Sequence, residues 1–393
     1  MGIKYFAAGL LLLGMLTASA RAVDAPSPAQ DLAHLQTICL KSNQLCRYIE
    51  FDFAGSGHIT RHEVVFVPLT SDAERAFWNR RAAAHLKSDA TADHVRAAIY
   101  DGSTHEWKPS VTDSHCPLCV PGTARFDGKT RQWFRFETDN KLQRNEYSAW
   151  IFTQIVGRED HSRLFVVVRQ HNGPVICASA RNSGMHYQYS TAKTGGFRIP
   201  LESDWVQSAR PDYVTISPVC SWASLAKQYM NMQAKALVGS DQLPTFNGTV
   251  QEKVNAAIGY IKARNIQYDA TPDVGGYPRQ DVAKILKEHR TDCKGFTTLL
   301  YALLRKAGVE SAPVLLNAHG MTPMSFSVPD HWFNHVILYV PGLDRYIDLT
   351  VSLPSHGEYT WQTSANPYAG DVVLNLVKGR FDVVPSHLIA GGD

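Results

Sequence analysis

The stretch Thr291-Asp292-Cys293-Lys294-Gly295-Phe296 decides the fold of the C-terminal part of this chain, because it has the pattern of a helix start. The residues that follow repeat apolar side chains at the spacing of one helix face and stop at Gly308: Phe296, Leu299, Leu300, Leu303 and Leu304. Either Thr291 or Asp292 can cap this helix, which predicts Cys293 in its first turn. Helix N-termini and neighbouring histidines both lower the pKa of a thiol, so the position favours a thiolate nucleophile.

Two strand-like segments downstream contain a histidine and an aspartate, His335 and Asp348. If residues 341–344 form a four-residue hairpin loop, Val340 pairs with Arg345. His335 and Asp348 then project from the same side of adjacent strands, within reach of each other. An imidazole oriented by a carboxylate and facing a thiol is a nucleophile–base–orienter triad. We therefore predict that Cys293 is the nucleophile, His335 the general base and Asp348 its orienting partner.

Several segments around this triad resemble the transglutaminase-like superfamily. They are Gln251–Ile258, Asn265–Tyr268, Thr291–Lys294, Leu299–Leu304, Ala307–Val309, Phe333–His335 and Tyr346–Asp348. The chain also resembles exported bacterial proteins in which such a domain follows a β-rich domain of unknown function, and Val214–Trp222 resembles their junction. The resemblance implies a papain/transglutaminase-like α+β fold.

The chain departs from this family pattern at two places. Relatives usually carry Gly-Asp-Cys-Lys-Asp around the cysteine, whereas this chain has Thr291 and Gly295 at the outer positions. Relatives also close the aspartate strand with Asp-Pro-Thr, where this chain has Asp348-Leu349-Thr350. The three triad side chains are kept, so the departures bear on loop shape and specificity more than on the chemistry.

The fold class predicted for the whole chain is α+β. Residues 31–215 are rich in β-branched and aromatic runs bounded by turns, which predicts an antiparallel β-sandwich-like domain with one helix around Asp72–Leu86. A helical linker (216–249), the transglutaminase-like domain (250–352) and a β-containing C-terminal extension (353–393) follow.

The N-terminus has the three parts of a secretory signal peptide over residues 1–22. A short basic start precedes an apolar run, Tyr5–Leu16, and small residues follow it. A membrane anchor is the alternative, but the run is too short to span a bilayer comfortably. We therefore expect a periplasmic or secreted protein without a stable membrane anchor.

Export makes disulfides possible, and the chain has seven cysteines. Pairing by proximity would join Cys39 to Cys46, Cys116 to Cys119 and Cys177 to Cys220, although other pairings stay open. Cys293 is then left over as a working thiol. Cys116-Pro-Leu-Cys119 could also be a redox motif or half of a zinc site, but Pro-Gly soon after it and the lack of a second such motif favour a structural disulfide.

Other candidate site residues are His331, Tyr268, Tyr277 and Asn334. His331 is a rival base, which we expect in a loop near the cleft. Tyr268 and Tyr277 could shape the cleft or donate to an oxyanion, but core packing is the alternative for both. Asn334 could position the loop before His335.

These observations predict an exported cysteine-dependent enzyme that transfers acyl groups from amide bonds. It would be a peptidase or amidase if water accepts the acyl group and a transglutaminase if an amine does. Protein or peptide substrates are expected, with cell-envelope peptides as candidates, and no cofactor or metal. The formal charge of +3 on 393 residues, with scattered basic residues, argues against nucleic acid as a partner. The alternative is a non-catalytic exported binding or scaffold protein.

Overall fold

The computed structural model describes residues 28–385, with gaps at 43–44, 54–57, 89–91, 102, 111–118, 122–123, 128, 144–151, 157–162, 171–174, 183–184, 192–194, 203–211, 270–279, 319, 321–322, 324, 331–332 and 351–367. The predicted signal peptide lies outside the described residues. No helix within the described ranges is both long and apolar enough to cross a membrane.

The described residues of the N-terminal part form two helices and eleven strands. The helices are α1 (Pro28–Ser42) and α2 (Asp72–Ser88). The strands are β1 (Cys46–Phe53), β2 (His58–Leu69), β3 (Ala92–Asp101), β4 (Glu106–Pro109), β5 (Gln132–Gln143), β6 (Phe152–Val156), β7 (Arg163–Gln170), β8 (Cys177–Asn182), β9 (Met185–Ser190), β10 (Gly196–Glu202) and β11 (Asp212–Ser217).

These strands form two sheets that pack face to face. The larger sheet has the order β10-β7-β1-β2-β5-β3-β4 and the smaller one β6-β11-β8-β9. Alternate residues of β1 and β7, among them Phe51 and Val166, share a buried cluster with Ala178 and Val214 of the smaller sheet. The arrangement is sandwich-like, as predicted. It differs from the prediction in one pair, because β1 and β7 run parallel and the chain must cross over between them.

The two N-terminal helices pack against the larger sheet. Trp78 of α2 stacks on Phe136 with ring centroids 5.5 Å apart, so the predicted helix around Asp72–Leu86 is confirmed. Helix α1 packs Leu35 and Cys39 against the sheet and was not predicted, because residues 31–215 were interpreted as strands with one helix around Asp72–Leu86. Pro28 is compatible with the first helical position.

In the C-terminal part, the residues that the structure describes form four α-helices and seven strands. The helices are α3 (Trp222–Lys235), α4 (Val250–Ala263), α5 (Val282–Glu288) and α6 (Cys293–Lys306). The strands are β12 (Gln267–Tyr268), β13 (Arg290–Thr291), β14 (Ala312–Leu316), β15 (His335–Val340), β16 (Arg345–Ile347), β17 (Val372–Asn375) and β18 (Arg380–Val383).

A five-stranded sheet of order β16-β15-β14-β17-β18 organises this part. Helix α6 packs its apolar face against α4, α5 and β15 in one buried cluster. Helix α3, predicted as part of a linker, packs Trp222 and Tyr229 into a second cluster with Cys293, Leu315 and Val336. The C-terminal strands β17 and β18 extend the same sheet. The sheet is therefore shared by the helix-bearing segments and the C-terminal extension.

Two disulfides join cysteines as predicted, Cys39 to Cys46 and Cys177 to Cys220. Cys116 lies outside the described residues, so its bridge to Cys119 stays a prediction. Cys293 is the free cysteine of the described ranges and is buried.

Candidate active site

Cys293 occupies the first position of α6. Asp292 is the N-cap residue, and its Oδ1 accepts a hydrogen bond from the Gly295 N–H at 3.0 Å. The other candidate cap, Thr291, instead lies in β13 and donates its hydroxyl to Gln280 Oε1 at 2.5 Å. The backbone N–H groups of the first helical turn point away from the helix body, so they favour negative charge near the cysteine. The helix thus presents Cys293, of which only 6% is exposed, at its electropositive end.

The departure at Thr291 and Gly295 has a steric explanation. A Cβ atom added to Gly295 would lie 1.7 Å from Thr291 Oγ1 and 2.8 Å from Thr291 Cβ. Only a residue without a side chain fits at 295 while threonine occupies 291. In the family pattern the glycine stands at the position of Thr291 and the larger residue at that of Gly295, so this chain has the two sizes exchanged.

The hairpin that carries the other two triad residues has the predicted register. Val340 pairs with Arg345 across the turn formed by Pro341–Leu343. The His335 Nε2 and Asp348 Oδ2 atoms are 2.7 Å apart. Strand β16 ends at Ile347, one residue before Asp348, so the strand is shorter than predicted.

A turn after β16 fixes the Asp348 carboxylate. The Thr350 backbone N–H and hydroxyl both donate to Asp348 Oδ1, at 2.8 and 2.7 Å. The Tyr368 hydroxyl donates to Oδ2 at 2.6 Å. Burial alone would raise the pKa of Asp348, but the hydrogen bond and charge of His335, with the bonds from Tyr368 and Thr350, hold the pKa below its usual value. Asp348 is therefore an ionised, fully hydrogen-bonded anchor for His335.

His335 connects the carboxylate to the thiol. Besides Asp348, the Cys293 side chain lies beside its ring. Because Nε2 contacts Asp348, Nδ1 is the nitrogen left to exchange a proton with Sγ. Burial lowers the pKa of His335, but its interactions with Asp348 and Cys293 outweigh burial and raise the pKa to about 9. The imidazolium form, which stabilises a neighbouring thiolate, is thus favoured at neutral pH.

Tyr368 was not identified from the sequence. It lies 20 residues after Asp348 and outside any motif, so no sequence pattern connects the two. Burial, followed by the charge of Asp348, raises the pKa of Tyr368, so its hydroxyl keeps the proton that it donates.

Among the other candidates, Tyr268 lies beside the triad. Its ring stacks on Phe296 with centroids 6.5 Å apart, yet 41% of the residue is exposed. Partial burial and then the negative charges of Cys293, Asp292 and Asp348 raise the pKa of Tyr268. Tyr268 therefore packs against Phe296, and its protonated hydroxyl borders the site.

Asn334 fixes the loop before His335, since its Oδ1 accepts from the Ala318 N–H at 2.9 Å. His331 and Tyr277 lie outside the described residues. No group of three or more His, Cys, Asp or Glu side chains in the described ranges could hold a metal ion.

The triad lies within a segment that matches a known family. Residues 240–350 match the model of the transglutaminase-like superfamily. This segment is a transglutaminase-like domain. Members of the superfamily are generally cysteine-dependent acyltransferases or peptidases. Cys293, His335 and Asp348 all fall inside the matched residues of the transglutaminase-like domain.

The chain is also similar to solved structures. A candidate protease from Parabacteroides distasonis, of known crystal structure, is similar with a TM-score of 0.46 and 13% identity over 88% of this chain and 72% of its own. No curated protein matches the chain in sequence.

Proposed function

We propose that this protein is an exported cysteine-dependent enzyme that cleaves or exchanges amide bonds through Cys293, His335 and Asp348. The observation that carries the proposal is the continuous chain of contacts from the thiol to His335 and from His335 Nε2 to Asp348 at 2.7 Å. This order of groups activates a thiol for attack on a carbonyl carbon.

The reaction would proceed in two steps. Cys293 Sγ attacks the amide carbonyl, and the resulting oxyanion is stabilised by backbone N–H groups at the start of α6. His335 donates a proton to the leaving amine as the carbon–nitrogen bond breaks, which gives a thioester at Cys293. His335 then takes a proton from the incoming acceptor, which displaces the thiolate.

The acceptor decides the enzyme class. Water gives a peptidase or amidase, and a primary amine gives a transglutaminase. We favour hydrolysis of a protein or peptide substrate, with peptides of the cell envelope as first candidates. Export is supported by the signal-like N-terminus and by the two disulfides, which persist in oxidising compartments. Cell fractionation and the N-terminal mass of the mature protein, cleaved after Ala20 or Ala22, test this part.

Alkylation of Cys293 separates an enzyme from a scaffold with an inert thiol. Iodoacetamide should modify Cys293 of the native protein at about pH 6.5, where an ordinary thiol with a pKa of about 8.5 reacts slowly. His335→Ala should slow this modification at least tenfold at the same pH. Cys293→Ala is the control that assigns the label to this residue. A native thiol that reacts no faster than free cysteine, with no effect of His335→Ala, would contradict the proposal and support the scaffold alternative.

A further inference from the structure

The described residues show a buried polar contact between the β-rich sandwich and the loop that precedes His335. We call residues 325–330 the histidine loop. Its Ser325, Val328 and Asp330 are all buried, with at most 4% of each residue exposed. The loop is closed internally, because Ser325 Oγ accepts from the Val328 N–H at 3.0 Å and Asp330 Oδ2 accepts from the Ser325 N–H at 3.3 Å.

The sandwich contacts this loop through Tyr213 of β11. The Tyr213 hydroxyl lies beside the Ser325 side chain, and it is 3.4 Å from Ser179 Oγ of β8. Tyr213 is only 3% exposed, so this contact lies away from water. A buried hydroxyl that loses its polar partner costs more folding free energy than an exposed hydroxyl does. The contact therefore favours one arrangement of the loop against the sandwich.

Helix α3 contacts the same loop from a second direction. The Trp222 indole N–H donates to the Ser325 carbonyl oxygen at 2.9 Å. Its ring packs edge-on against Phe333, two residues before His335, with centroids 5.2 Å apart. Trp222 also belongs to the buried cluster that contains Cys293.

A disulfide joins these two contacts. Cys220, two residues before Trp222, is bonded to Cys177 at the start of β8. Strand β8 also provides Ser179, and it pairs with β11 through Thr215 and Ser179. The strand pairing and the disulfide therefore hold Tyr213, Ser179 and Trp222 in place relative to one another, independently of their contacts with the loop.

We propose that the β-rich domain is a structural part of the active site, with Tyr213 and Trp222 acting as positioning residues that hold the histidine loop and thereby set the place of His335. The inference rests on the proposed function, since it concerns the geometry of that triad. A small displacement of a catalytic base lowers the reaction rate by a large factor. A contact that holds the loop before His335 can therefore change the rate without touching the reacting atoms.

The test compares two tyrosines of the smaller sheet. Tyr213→Phe removes the hydroxyl that contacts the loop, whereas Tyr189→Phe is the control, because the Tyr189 ring packs against Phe197 within the sandwich. The readout is the rate of Cys293 alkylation by iodoacetamide between pH 5 and 10, with thermal unfolding measured on each variant. Tyr213→Phe should slow alkylation at about pH 6.5 by roughly tenfold and shift the pH profile, whereas Tyr189→Phe should leave both within about twofold.

Two further variants test the same contacts if Tyr213→Phe folds poorly. Trp222→Phe removes the indole N–H and should act in the same direction. Ser325→Ala removes the loop's side of the tyrosine contact, so Tyr213→Phe combined with Ser325→Ala should be no slower than the slower single variant. A folded Tyr213→Phe or Trp222→Phe protein with a wild-type pH profile would overturn the inference alone. An unreactive wild-type thiol would overturn the proposed function and this inference with it.

Discussion

The Tyr368 hydroxyl donates its hydrogen bond to Asp348 Oδ2, the same oxygen that contacts His335 Nε2. The two distances are 2.6 and 2.7 Å. With Thr350 on Oδ1, both carboxylate oxygens are occupied, so the carboxylate is held in the plane that orients the imidazole. Strand β17, which begins shortly after Tyr368, extends the sheet that carries His335. The C-terminal extension thus contributes directly to the triad.

Tyr368→Phe tests that contribution. Loss of one charge-assisted hydrogen bond of about 1.5–3 kcal/mol should loosen Asp348 and slow Cys293 alkylation at neutral pH by roughly tenfold. Tyr339→Phe is a matched control, because Tyr339 makes a similar bond of 2.9 Å to Asp344 in the hairpin turn of the same sheet. Equal rates in the two variants would show that the Tyr368 bond does not position Asp348.

Asp348→Asn should change the pH at which His335 titrates. The bond and charge of Asp348 keep the pKa of His335 near 9, so the amide should move this pKa down toward the usual value of 6.5. NMR titration of the His335 ring measures both values directly, and the turnover of any substrate should fall by roughly a hundredfold or more. A wild-type His335 that titrates near 6.5 would contradict the ion-pair description.

The same raised pKa predicts the pH dependence of stability. Between about pH 6.5 and 9 the folded protein holds a proton on His335 that the unfolded chain releases, so folding stability from this group is complete below 6.5 and is lost as the pH rises through 9. Urea denaturation of wild type and His335→Gln should therefore differ most at low pH in this range, and the difference should shrink toward pH 9. A difference that grows with pH would have the wrong sign.

The steric contact between Thr291 and Gly295 predicts a compensating pair. Gly295→Ala alone should destabilise the protein by about 1–3 kcal/mol, because the new Cβ meets Thr291 Oγ1. Gly295→Asp with Thr291→Gly, the family's usual arrangement, should recover most of that loss. Gly259→Ala is the control, since no heavy atom lies within 4 Å of its added Cβ, and it should stabilise helix α4 by up to about 1 kcal/mol. Urea denaturation measures the free energy of unfolding of these variants. If the double variant lost as much as the sum of Thr291→Gly alone and Gly295→Asp alone, the pairing would be refuted.

The placement of Cys293, His335 and Asp348 near one another was predicted from the sequence because its determinants are local. The cap at Asp292, the apolar face of α6 and the Val340–Arg345 register each follow from spacing within about fifteen residues. The choice between Thr291 and Asp292 as cap needed the structure, since Thr291 has a competing partner in Gln280.

Features that depend on long-range packing were missed. Tyr368 reaches Asp348 only because the extension folds back along the sheet, and Tyr213 meets Ser325 across more than a hundred residues of sequence. The parallel β1–β7 pair has the same cause, because no local pattern specifies which distant strands become neighbours. Helix α1 is different, since Leu32, Leu35 and Cys39 have helical spacing, which the interpretation of residues 31–215 as strands with one helix around Asp72–Leu86 overlooked.

The most direct test of the central claim is intact-mass detection of an acyl-enzyme at Cys293. The purified protein is mixed with peptide pools from a cell-envelope digest, quenched in acid and analysed by mass spectrometry, with Cys293→Ala as control. A thioester adduct that maps to Cys293, forms in wild type, decays in buffer and is absent in Cys293→Ala is the result that we predict. An adduct-free wild-type protein whose Cys293 is nevertheless accessible to iodoacetamide, across peptide, amide and amine-acceptor mixtures, would contradict acyl transfer through this residue.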